Sequence, residues 1–230
     1  MFEGFTQETS DFIWELSFHN ERPWFLEHRD VFERVLKKPF DDLSRDTAAL
    51  LAERFPAHSF DLHIARIYRD ARRLFGRGPY KDHLWFSLKE SDGLLTGPMF
   101  WFEIGAAEYS YGMGFYSATA RQMEVYRAAI DANPARAERL AKSIAEQDRF
   151  VLEGEDYSRP KGDRGELLNP WYNKKHLSFT FEDDFGGVLL SPELPRVLVD
   201  GYAFLMPIYE FLLESYEPDP RELREREQRK

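Results

Sequence analysis

Between Arg66 and Lys81 stand six basic side chains, Arg66, Arg69, Arg72, Arg73, Arg77 and Lys81, with Asp70 as the only acid among them. A guanidinium presents a planar fork of donors that matches two oxygens of a carboxylate or phosphate at once. The chemistry such a stretch suggests is the holding of an anion. Read as a strand, it puts Arg66 and Tyr68 on one face and Ile67 and Arg69 on the other. One arginine must then meet the core side or a cleft, where it needs an anionic partner. Two readings stand side by side. In the first, Arg66, Arg69, Arg72 and Lys81 donate to a small phosphate- or carboxylate-bearing ligand, with Tyr80 as a wall of the pocket. In the second, the same cations form a structural ion-pair network with the chain's own carboxylates, Asp70, Glu103 and Glu108 included, inside a non-catalytic interaction module. Flanked by cations, Asp70 stays ionised, which suits orienting an arginine better than acting as a base.

A second basic group runs Arg159-Pro160-Lys161-Gly162-Asp163-Arg164 and continues at Lys174-Lys175. A Lys-Gly step in a polar loop can bring an ammonium and backbone N–H groups to one anion, so Lys161 joins the candidate anion site. Other chemistries find little footing. There is no cysteine, which removes disulfides, thiolate metal sites and cysteine nucleophiles. The six histidines form no helix-spaced pair. His58, Asp61 and His63 would ligate a metal only if the loop folded back, His63 and His83 could meet on adjacent expected strands, and no metal site is assigned. Gly112-Met113-Gly114 begins like a nucleotide loop but lacks the third glycine and follows an antiparallel strand pattern. Neither a Gly-x-Ser-x-Gly elbow nor a Walker lysine loop occurs. No cofactor and no catalytic residue is assigned.

The 230 residues are 43% hydrophobic and 16% aromatic, ample for a core without metal or disulfide staples. Net charge is -10. Acidity everywhere outside the basic stretches opposes binding to nucleic acid or anionic membranes. The most apolar segment, Val197 to Leu213, is broken by Asp200, Gly201, Pro207 and Glu210 and does not suit a membrane span. No leader pattern is visible at Met1, and the expected compartment is the cytoplasm.

The elements that must position these residues follow from periodicity. Ser10 and Asn20 are candidate caps for helices carrying Phe12, Ile13 and Leu16, and then Phe25, Phe32, Val35 and Leu36. Pro39 opens a third helix that ends at Pro56. The period then changes. Strands are expected over Leu62–Tyr68, His83–Leu88, Pro98–Ile104 and Glu108–Phe115, with turns at Gly76–Pro79, Asp92-Gly93 and Gly105. Helices return after Ser117 and Asn133-Pro134. Phe150–Leu152 and Leu177–Phe181 read as strands, Tyr157–Asn169 as a loop, and Pro192–Leu213 as a final helix. The pattern implies a single α+β domain over 1–216. It has an antiparallel sheet of about four to six strands, packed with helices from the N-terminal and C-terminal thirds, and a charged tail over 217–230.

Several stretches together resemble a known family. They are Asn20-Glu21-Arg22-Pro23-Trp24-Phe25, Arg66-Ile67-Tyr68-Arg69-Asp70-Ala71-Arg72, Pro79-Tyr80-Lys81, Gly112-Met113-Gly114-Phe115-Tyr116 and Arg159-Pro160-Lys161-Gly162. The chain is similar in them to the domain-of-unknown-function family twenty-four sixty-one. The resemblance covers almost the whole chain and implies one domain and no particular activity. It departs between Arg72 and Pro79, where similar proteins continue with Phe and a Lys-Asp-Lys-like turn and this chain has Arg73-Leu74-Phe75-Gly76-Arg77-Gly78.

Overall fold

The computed structural model describes residues 1–70, 72, 74, 76–91, 97–115 and 118–216. Helix α1, Gln7–Phe18, begins after Thr6, whose extended backbone makes it the N-cap, and Thr9 Oγ1 accepts from the Thr6 N–H at 3.3 Å. The helix thus starts a turn before Ser10. That hydroxyl donates instead to the Ala106 carbonyl at 2.6 Å. Next come α2, Arg22–Glu27, and α3, Arg29–Phe32; a wide turn over Glu33–Lys37 leads into α4, Lys38–Arg54. Pro23 and Pro39 sit in first turns, where a missing N–H costs nothing. Asn20 caps no helix; Glu21 holds that position, and the Asn20 amide is used elsewhere.

The strands are β1, Phe60–Ile64; β2, Leu84–Glu90; β3, Met99–Ile104; β4, Glu108–Gly114; β5, Val151–Glu153; and β6, Ser178–Asp184. They form one antiparallel sheet in the order β1-β2-β3-β4-β6-β5. Strict alternation in β3 buries Phe100, Phe102 and Ile104, the period of a half-covered strand. Helices α5, Ala120–Ala132, and α6, Pro134–Ala145, follow β4. Thr119 caps α5, its Oγ1 accepting from Gln122 N; Ser117, the expected cap, lies outside the described residues. Asn133 Oδ1 caps α6 at Arg136 N, 3.1 Å. Part of the expected Tyr157–Asn169 loop is helical: α7 spans Gly165–Tyr172 and buries Leu168, Trp171 and Tyr172. Pro170 hid it, because a proline inside a short segment reads as a stop. Helix α8, Leu194–Glu214, completes the fold with helices from both terminal regions and an α+β architecture. No helix among the described residues is long and apolar enough to cross a membrane. The turn at Asp92-Gly93 and the tail over 217–230 lie outside the described residues.

By contact density the chain forms two compact units, and the division runs through β2, β3, β4, β6 and α8. The first holds Met1–Leu88, Trp101–Tyr111 and Glu182–Asp200. Its core sets Phe40 against Phe86 and Phe102 at 5.8 and 6.1 Å between ring centres, with Leu36, Leu43 and Leu51 fully buried beside them. The second holds Lys89–Phe100, Gly112–Phe181 and the segment from Gly201 on. There Phe100 packs on Tyr202 and Tyr209, and Trp171 on Phe179. Each such buried aromatic contributes roughly 1.5–3 kcal/mol.

Candidate functional site

In the first unit the basic stretch forms a hairpin. After β1 the chain stays extended, Tyr68 bridges antiparallel to Tyr80, and Arg69 N and Lys81 N donate to the carbonyls of Pro79 and Ile67, both at 2.8 Å. Tyr80 is buried and stacks on Phe25 at 4.1 Å. Its backbone is held from both sides. Asn20 Nδ2 donates to the Tyr80 carbonyl at 3.0 Å, and the Tyr80 N–H donates to Asn20 Oδ1 at 2.9 Å. The side-chain amide thus imitates a neighbouring strand. Gly78 makes this approach possible, since a Cβ there would collide with the Asn20 side chain.

The cations of the stretch are placed as follows. Arg69, 13% exposed, donates from Nε to the Tyr80 carbonyl at 2.7 Å and from Nη2 to Asp82 at 3.1 Å. Arg72 makes a two-pronged pair with Asp70, Nε to Oδ1 at 3.1 Å and Nη2 to Oδ2 at 3.0 Å, and its N–H also donates to Asp70. Lys81 Nζ donates to the Arg66 carbonyl at 2.8 Å and lies 5.9 Å from the Trp85 ring centre. Burial, then Arg69, lowers the Lys81 pKa against the pull of Glu103. Arg66 is exposed. The Asp82 carboxyl lies below its ordinary range: burial pushes it up, but its own backbone N–H, His83 and Arg69 outweigh that. An ionised carboxylate only accepts, so His83 Nδ1, 3.0 Å from Asp82 Oδ1, carries a proton.

The same unit contains a cleft of about 370 Å³ at the β3–β4 turn. Ile13, Trp14 and Ser17 of α1 form one wall; Asp82, His83, Glu103, Glu108 and Glu182 supply its charge. Glu103, Glu108 and Glu182 have no ion-pair partner within 4.0 Å among the described residues. Trp14 is 48% exposed and stacks on Phe18, 77% exposed, at 6.1 Å. The sequence held a signal for this pair: both residues lie off the Phe12–Ile13–Leu16 face of α1, so α1 is apolar where its core contacts do not require it. No group of three or more His, Asp or Glu able to hold a metal is gathered among the described residues.

Lys161 belongs to the second unit. Its N–H donates to Asn173 Oδ1 at 2.6 Å, Asn173 Nδ2 donates to the Gly162 carbonyl at 3.1 Å, and the Lys161 ammonium lies 4.4 Å from the Tyr157 ring centre. The same ring carries Arg127 of α5 at 5.5 Å. Arg127 escaped notice in the sequence because a lone arginine on an amphipathic helix ordinarily faces water. Nearby, Arg164 Nε donates to Asp131 Oδ1 at 2.6 Å and the Tyr172 hydroxyl to Asp131 Oδ2 at 2.9 Å. Arg164 holds the Asp131 carboxyl below its usual range, with burial opposing and Tyr172 adding to the effect.

Sheet, helices and side-chain-locked hairpin define an α+β protein whose first unit is organised around the backbone of one buried tyrosine. Three of the stretches that carry the resemblance, those at Asn20–Phe25, Arg66–Arg72 and Pro79–Lys81, meet at that lock. The chain belongs to the conserved hypothetical protein family DUF2461, whose model matches residues 8–211. Among curated proteins none matches the chain.

Proposed function

We propose that the first unit is a non-catalytic interaction module and that its cleft receives a lysine or arginine side chain of a partner protein. The carrying observation is the cleft wall: Trp14, half exposed, faces the same space as Glu103, Glu108 and Glu182, carboxylates without an ion-pair partner within 4.0 Å among the described residues. An aromatic face and nearby carboxylates both attract an organic cation. The stacked Phe18 extends the apolar surface along α1 beyond the cleft, which suits an apolar residue next to the cation in a peptide. The hairpin geometry supports the structural-network reading of the basic stretch, since Arg69 and Arg72 meet the chain's own carboxylates and carbonyl.

Calorimetric titration with hexalysine tests this reading, with fully acetylated hexalysine as the neutral control. Wild type is expected to bind the charged peptide and not the acetylated one. Trp14→Ala leaves the net charge unchanged, so it separates recognition in the cleft from general attraction to an acidic protein. It is expected to weaken binding about fivefold, the size of a cation–π contact. Equal affinity in wild type and Trp14→Ala would sink the proposal.

A further inference from the structure

Arg127 on α5 is 8% exposed, and its Nη1 has no hydrogen-bond partner among the described residues. A guanidinium does not shed its proton when buried, and an uncompensated buried charge is among the costliest features a fold can carry. The charge of Arg127 reaches Asp131, one turn further along the helix, and helps keep that carboxyl ionised. Yet both Asp131 oxygens are already engaged, Oδ1 by Arg164 and Oδ2 by Tyr172. Asp131 and Arg164 neutralise each other and leave Arg127 in surplus.

A second cation shares its setting. Lys161 and Arg127 both lie against the ring of Tyr157. The loop that carries Lys161 is fixed at its base by Asn173, which accepts from Lys161 N and donates to the Gly162 carbonyl. Gly162 in turn lies against the Tyr172 ring, where a Cβ would be too close. The backbone of Lys161 is therefore fixed beside the ring that also carries Arg127, and its side chain is exposed.

We propose that Arg127, Lys161 and Tyr157 form an anion-binding site for a phosphoryl group carrying two negative charges. Arg127 Nη1 is its buried donor, and Lys161 closes over the anion from the exposed side. Two cations beside an Asp131 already engaged by Arg164 and Tyr172 match a dianion better than a single carboxylate, and the guanidinium fork suits phosphate oxygens. The site is separate from the cleft of the first unit and does not depend on the function proposed for it.

The test is a thermal-shift titration with inorganic phosphate at pH 7.5, with ionic strength held constant by sodium chloride. Parallel arms use O-phosphoserine, for an organic phosphate ester, and acetate. Wild type is expected to show a saturating upward shift with phosphate and at least a tenfold weaker response to acetate. A stronger response to phosphoserine than to phosphate would mark the ester as the ligand source, and the reverse would mark free phosphate; either supports the site. Lys161→Ala, a change at an exposed side chain, is expected to weaken phosphate binding at least fivefold, and Arg127→Gln to abolish it. Should Arg127→Gln fail to fold, Lys161→Ala with phosphorus NMR titration of the wild type decides. The proposal is overturned by a phosphate shift no larger than that of chloride, by acetate binding as well as phosphate, or by unchanged binding in Lys161→Ala.

Discussion

At the scale of single residues, the hairpin hangs on a few contacts to the Tyr80 backbone. Its carbonyl accepts from both Asn20 and Arg69. Asn20→Ala leaves the Tyr80 N–H without its acceptor inside a packed region, at a cost of about 1–3 kcal/mol. Gly78→Ala is expected to cost a similar amount, because its new Cβ occupies the space of the Asn20 side chain. Asn20→Ala removes the amide but keeps its Cβ, 2.6 Å from the new one at Gly78, so urea denaturation of the double variant should show a loss only partly below the sum. Additive losses would mean that Gly78 matters for another reason. The sequence made Arg69, Lys81 and Tyr80 conspicuous by residue type and spacing. It could not reveal that Arg69 serves a carbonyl, because every residue offers one and none is marked in the sequence. Arg127 shows the converse. Its type is plain, but its burial depends on how α5 meets the Tyr157 loop, a long-range fact that local periodicity does not encode.

At the scale of elements, α5 is tied to both ends of α7, through Asp131 to Arg164 at its start and to Tyr172 at its end. The folded pKa of Asp131 is depressed, chiefly by Arg164. The stability it supplies is therefore fully present above its unfolded value and is lost as pH falls through the folded one. The carboxyls of Asp82, Asp163, Glu155 and Glu214 are shifted the same way, so acid should weaken the fold below about pH 4. In melting curves taken between pH 2 and 7, Asp131→Asn should melt below wild type at neutral pH. The two should converge as the solution becomes acid. A constant gap across the range would show that the asparagine disturbs packing rather than removing a titrating partner. β1 lies at Phe60–Ile64 rather than over the expected Leu62–Tyr68, and β5 holds no aromatic, whereas β3, β4 and β6 were legible in sequence because alternate aromatics print a period of two. The β4–β6 adjacency was not. It rests on contacts such as Phe115 N to the Leu177 carbonyl at 3.1 Å and on Gly114, where a Cβ would strike that neighbouring backbone.

At the scale of the whole molecule, a net charge of -10 gives any basic partner a general attraction that weakens with salt. Recognition in the cleft adds a local component that depends on Trp14 rather than on total charge. The α+β class followed from the succession of helical and alternating patterns. The cleft did not, because it joins α1 to the β3–β4 turn across about ninety residues of chain, and only folding brings Trp14 near Glu103. The most direct test follows the five tryptophan indole N–H signals of the ¹⁵N-labelled protein during hexalysine titration. Cation capture in the cleft predicts a saturable shift of the Trp14 signal while that of Trp171, buried in the second unit, stays in place. A Trp14 signal that remains still while the peptide binds would contradict it.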